Sequence, residues 1–82
     1  MSLEFKPVLL DVDSGDDRGM LILHDGALLG VATKLGEIHG DLAGSWFLET
    51  VFDPAIIVPH EPFADIQALH LWLTHQRESI RR

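Results

Sequence analysis

Residues 18–35 read RGMLILHDGALLGVATKL, and the two apolar runs meeting at Asp25-Gly26 decide the fold. A two-residue type I′ turn needs positive φ at both centres, and Asp-Gly supplies it at low cost, so a β-hairpin is expected with strands over 18–24 and 27–35. A two-residue loop sets His24 opposite Ala27, Leu23 opposite Leu28, Ile22 opposite Leu29, Leu21 opposite Gly30 and Met20 opposite Val31. One face then carries Met20, Ile22, Leu29, Val31, Thr33 and Leu35; the other carries Leu21, Leu23, Leu28, Gly30 and Ala32. Both faces are apolar. An antiparallel sheet that gives one face to water alternates more cleanly than this, so a covering layer is expected on each side.

On the N-terminal side, Val8, Leu10 and Val12 alternate with Leu9, Asp11 and Asp13, which predicts a first strand over 8–14. Gly15-Asp16-Asp17 supplies the turn after it. On the C-terminal side, residues 36–44 hold three glycines and two acids around Ile38 and Leu42, a mobile or irregular connection. Trp46, Phe47 and Phe52 then mark a strand over 45–52, on which Trp46, Leu48, Thr50 and Phe52 point one way and Phe47, Glu49 and Val51 the other. Ala55-Ile56-Ile57-Val58, fenced by Pro54, Pro59 and Pro62, reads as an edge strand over 55–58 or an extended crossover. From Asp65 the period becomes helical: Ile66, Leu69, Leu73 and Ile80 form a stripe, with His70 and Arg77 at its margins. Asp65 is placed to cap this helix over 65–80. Leu71 and Trp72 fall off the stripe, which widens the apolar surface and points to a second subunit.

The expected architecture is α+β: a four- to five-stranded antiparallel β-meander with one C-terminal α-helix packed on one face, all within a single domain over 1–82. A chain of 82 residues buries only about 60–65% of its unfolded surface. It has no cysteine, so neither a disulfide nor a thiolate metal site reinforces the core. Packing against a partner subunit is the remaining route, and a homodimer or higher homo-oligomer is expected. The interface is assigned to Phe47, Val51, Leu21, Leu23, Leu28 and Trp72. The net charge of −7, with Arg77, Arg81 and Arg82 among only six basic residues, leaves no basic stripe for phosphates, so no nucleic-acid partner is expected. No membrane partner is expected either, and with no signal peptide or spanning stretch in view the expected location is cytoplasmic.

Candidate chemistry is sparse. Asp11, Asp13, Asp16 and Asp17 suggest a hard cation, but Gly15, Asp16 and Ile22 break the EF-hand pattern. The acids read rather as a solvated turn that keeps the edge from pairing wrongly. His70 and His75 are five residues apart, whereas a helical ligand pair needs three or four. His39, between Glu37 and Asp41, and His60, beside Glu61, lie in two loops whose meeting would make a zinc-type cluster. The metal candidates are therefore His39, His60, Glu61, Asp11 and Asp13, set against exposed loop histidines. No catalytic or cofactor-binding residue is assigned: Ser14, Ser45 and Ser79 lack a nucleophile-elbow context, and Gly36, Gly40 and Gly44 match no phosphate loop. Trp46 and Trp72 read as a core residue and an interface anchor, with a pocket lining as the alternative.

The run from Met20 to Val31, followed by His39-Gly40 and by residues 44–49, resembles small uncharacterised bacterial proteins that combine a β-meander with a tryptophan-bearing C-terminal helix. The resemblance spans residues 18–75. It implies a fold and a bacterial source but no activity, so no site residue comes with it. Three functions remain on these grounds: a non-enzymatic homo-oligomeric interaction module, a small-ligand or divalent-metal-binding protein or minor enzyme subunit, and an acidic antitoxin- or inhibitor-like protein with a basic protein partner. No cofactor is expected.

Overall fold

Asp25 and Gly26 sit at φ 51° and 86°, the left-handed backbone that the type I′ turn requires. In the computed structural model, which describes residues 3–11 and 17–76 in full and 77–80 by their backbone, four strands run in chain order: β1 (Leu3–Leu9), β2 (Arg18–His24), β3 (Ala27–Lys34) and β4 (Trp46–Val51). Each pairs antiparallel with the next, giving one sheet in the order β1-β2-β3-β4. One helix, α1 (Ile66–Ile80), follows and packs on one face, so the fold is α+β.

Two boundaries depart from expectation. The first strand is Leu3–Leu9 rather than 8–14, of which 12–14 lie outside the described residues. Leu3 and Phe5 alternate with Glu4 and Lys6, and Pro7 is tolerated because β1 lies at the edge of the sheet among the described strands. The second departure is the fifth strand. Residues 55–58 form none, because Asp53 turns the chain back: its Oδ1 accepts from the Ala55 N–H at 3.0 Å and its carbonyl from the Ile56 N–H at 3.1 Å. The turn presses Ile56 into the core. Phe63, further on, meets the outer edge of the sheet instead, exchanging backbone bonds of 2.8 and 2.7 Å with Trp46.

The connection over 36–44 is ordered by hydrogen bonds rather than irregular. Two 3-10 turns within Glu37–Leu42 meet at Gly40, whose φ of 61° breaks the helix. Its base is closed by Leu35 and Ser45, N–H to carbonyl at 2.8 Å, and by the Gly44 N–H to the Leu35 carbonyl at 2.8 Å.

Register is where the structure departs most. Leu23 meets Leu28 as expected, but Ile22 then meets Gly30, Leu21 meets Val31 and Met20 meets Ala32, so Leu29 is an extra residue in a β-bulge. A second shift pairs Ala32 with Leu48 and Val31 with Thr50, leaving Glu49 extra on β4. Gly30 sits between the two bulges, and a Cβ there would lie 2.5 Å from the Thr50 carbonyl oxygen, so only glycine lets β4 approach this closely.

The core forms on the helix side of the sheet. Ile22, Leu29, Ala32, Leu48, Leu69 and Leu73 are buried, ringed by Phe5, Met20, Trp46, Val51, Phe63 and Trp72 among others. Leu69 and Leu73, one turn apart, meet the sheet, and burying each contributes roughly 1.5–3 kcal/mol. Asp65 Oδ1 accepts from the Ala68 N–H at 2.8 Å and caps α1, a contact worth about 1 kcal/mol. Beside this core, the Phe5 and His70 rings lie 5.2 Å apart.

Candidate functional site

The bulges decide which residues the sheet offers on the face away from α1. Strand partners share a face, so Leu21 and Val31, Leu23 and Leu28, and Thr33 and Phe47 line the far side, with Val8, Glu4 and Lys6 on β1. Val31 and Thr33 thus move off the face that also holds Met20 and Ile22, while Gly30 and Ala32 move onto it. Val51 changes sides as well, since the Glu49 bulge pairs it with Gly30 and packs it against the core.

Of the six residues assigned to an interface, the structure brings Leu21, Leu23, Leu28 and Phe47 together on this open face. Val51 and Trp72 are not among them. Trp72 lies on the helix side, its ring 5.6 Å from Phe63 and packed against the core. Among the described side chains of α1, Leu71 is the large apolar one left outside, 61% exposed. Leu21, Leu23, Val31 and Phe47 are half-buried by their neighbours, and Leu28 is exposed. Leu10 closes one margin: a Cβ at Gly19 would lie 2.9 Å from the Leu10 side chain, and the Leu10 N–H bonds to the Asp17 carbonyl at 2.7 Å. The charged residues paired on the face are Glu4 and Lys6, which form an exposed ion pair at 3.6 Å. Such a pair contributes little to stability.

A second feature lies at the end of the sheet where β2 begins and β3 ends. A cavity of about 370 Å³ is lined there by Pro7, Leu9, Arg18, Met20, Lys34 and Trp46, among others. A neighbouring cavity of about 380 Å³ shares Arg18 and Lys34 and runs along the 3-10 connection past Glu37 and Gly44. Sequence reasoning did not single out either cation, because only the strand register sets them side by side.

The metal candidates do not converge. His39 lies in the 3-10 turns, and His60 and Glu61 in the proline-rich return to the helix, all exposed; Asp11 is exposed near the end of β1. Asp13 lies outside the described residues. Among the described residues, no group of three or more His, Asp or Glu side chains is placed to hold a metal ion. Likewise, no described helix is long and apolar enough to cross a membrane.

No family model, no curated protein and no solved structure matches the chain. The site must therefore be read from its own geometry.

Proposed function

We propose that the protein is a non-enzymatic interaction module that self-associates through the open sheet face. The observation that carries this reading is the cluster of Leu21, Leu23, Leu28, Val31 and Phe47 on the side of the sheet opposite α1. A second copy suits that face better than an unlike partner for an electrostatic reason. The chain carries −7 overall, yet Glu4 and Lys6 on this face offset one another, so two copies meet here with less repulsion than the whole chain's charge implies. Glu49, on the β4 bulge, is the acid that remains nearby. A two-fold axis through the face sets the same patch on both copies, and Glu4 of one can then face Lys6 of the other. Apolar burial in the middle and charge at the rim is the usual division of labour in such contacts.

Sedimentation velocity at micromolar concentration tests the proposal. A dimer that Leu21→Glu converts to a folded monomer is the expected result. A wild-type chain that stays monomeric over the micromolar range overturns it.

A further inference from the structure

One row of side chains crosses all four strands on the helix side of the sheet, at the end where β2 begins. Leu9 pairs with Arg18 and Trp46 with Lys34, and the register carried one step past the Gly19 and Thr33 pair sets Arg18 beside Lys34. Two cations therefore stand side by side on adjacent strands, an arrangement that works against the fold. Composition makes this more pointed: the chain has thirteen acidic and six basic residues, so opposite charges were the commoner material. Among the described residues, Lys6 pairs with Glu4 and His24 lies 3.5 Å from the Asp25 carboxylate, and neither contact involves this couple. Asp17 and Glu37 line the adjoining cavity without pairing to it.

The two charges border the cavity of about 370 Å³, whose remaining walls include Met20, Trp46, Pro7 and Leu9. That volume falls near the lower end of the roughly 300–1,000 Å³ of small-molecule sites, which combine apolar walls with a few convergent polar groups. No described residue of α1 lines it, so the helix leaves this end of the sheet open.

We propose that the row binds a small amphiphilic anion, its carboxylate or phosphate head between Arg18 and Lys34 and its apolar body against Trp46 and Met20. The guanidinium offers two parallel N–H donors to either head and the ammonium adds a point charge. Bound anion relieves the repulsion between the two cations, so ligand and protein stabilise each other.

Titration calorimetry with octanoate and with octyl phosphate, each below its micelle-forming concentration, tests this; octanol and inorganic phosphate are the half-ligand controls. One amphiphile saturating at one per chain, with affinity at least tenfold above either control, is expected, and the tighter of the two identifies the head group. Arg18→Ala and Lys34→Glu should each weaken binding tenfold or more. Lys34→Glu should hold or raise Tm, because it gives Arg18 an opposite charge, and this separates loss of the site from loss of the fold. Phe47→Glu should leave binding unchanged, so the result stands apart from self-association. The proposal is overturned if neither amphiphile saturates, if octanol binds as tightly, or if both cation variants bind like the wild type.

Discussion

The two faces of the sheet are built from neighbouring residues of the same strands, yet they end in different circumstances. On the helix side Ile22, Ala32 and Leu48 are fully buried beneath Leu69 and Leu73. On the other side Leu21, Val31 and Phe47, each one residue away from those in sequence, are only half-buried. Composition does not distinguish the faces. What separates them is which one received the helix, together with two single-residue bulges that exchanged members between them.

The largest way to break this contrast is at Leu48. Leu48→Ala opens a cavity between the sheet and α1 and should cost about 2–5 kcal/mol in urea denaturation, since a fully buried leucine loses both transfer energy and contacts. A cost below about 1 kcal/mol would mean that the covered face is not the one that holds the fold. Gly30→Ala comes next. The added methyl meets the Thr50 carbonyl, and forcing β3 and β4 apart should cost about 1–3 kcal/mol and weaken amide-exchange protection on β4 first. Uniform loss of protection over all four strands would show that Gly30 governs more than the β3 to β4 seam. The smallest effect on the fold belongs to Phe47→Glu on the open face. Measured below the dissociation range, its stability should stay within about 0.5 kcal/mol of wild type while association is lost. If Phe47→Glu unfolds the chain as Leu48→Ala does, the two faces are not different in kind.

Much of the fold is legible in the sequence, and the failures share one cause. Asp25-Gly26 fixes its turn through local backbone preference, and the spacing of Ile66, Leu69 and Leu73 fixes the helix through its own period; neither depends on a distant partner. The faces of β3 and β4 do depend on one. A bulge at Leu29 or Glu49 leaves no mark in the hydrophobic pattern, because it is set by how β2, β3 and β4 fit together, and one slipped residue reverses every side chain beyond it. That is why Val51 was expected on the open face and packs in the core. The packing of Trp72 is illegible for a related reason: its partner, Phe63, reaches it through a turn at Asp53 and a bridge to Trp46 that no periodicity announces. For the first strand, Val8, Leu10 and Val12 alternate as well as Leu3 and Phe5 do, and only pairing with β2 shows that the strand is the earlier stretch. Arg18 and Lys34 belong to the same class as the bulges. Sixteen residues apart, they become neighbours only through the hairpin register.

Pro7 and the bridge at Phe63 also bear on how large an assembly of this protein can grow. A sheet edge with free N–H and carbonyl groups is a template on which further strands add without limit. Here one outer strand contains a residue that donates no N–H, and the opposite outer strand has both backbone groups of Trp46 engaged by Phe63. Lateral growth is hindered from either side, whereas a contact through the broad face, as proposed above, would use itself up once two copies had met. On the proposed pairing, assembly stops at two copies, and an acidic chain with an apolar sheet is hindered from becoming the seed of a fibre.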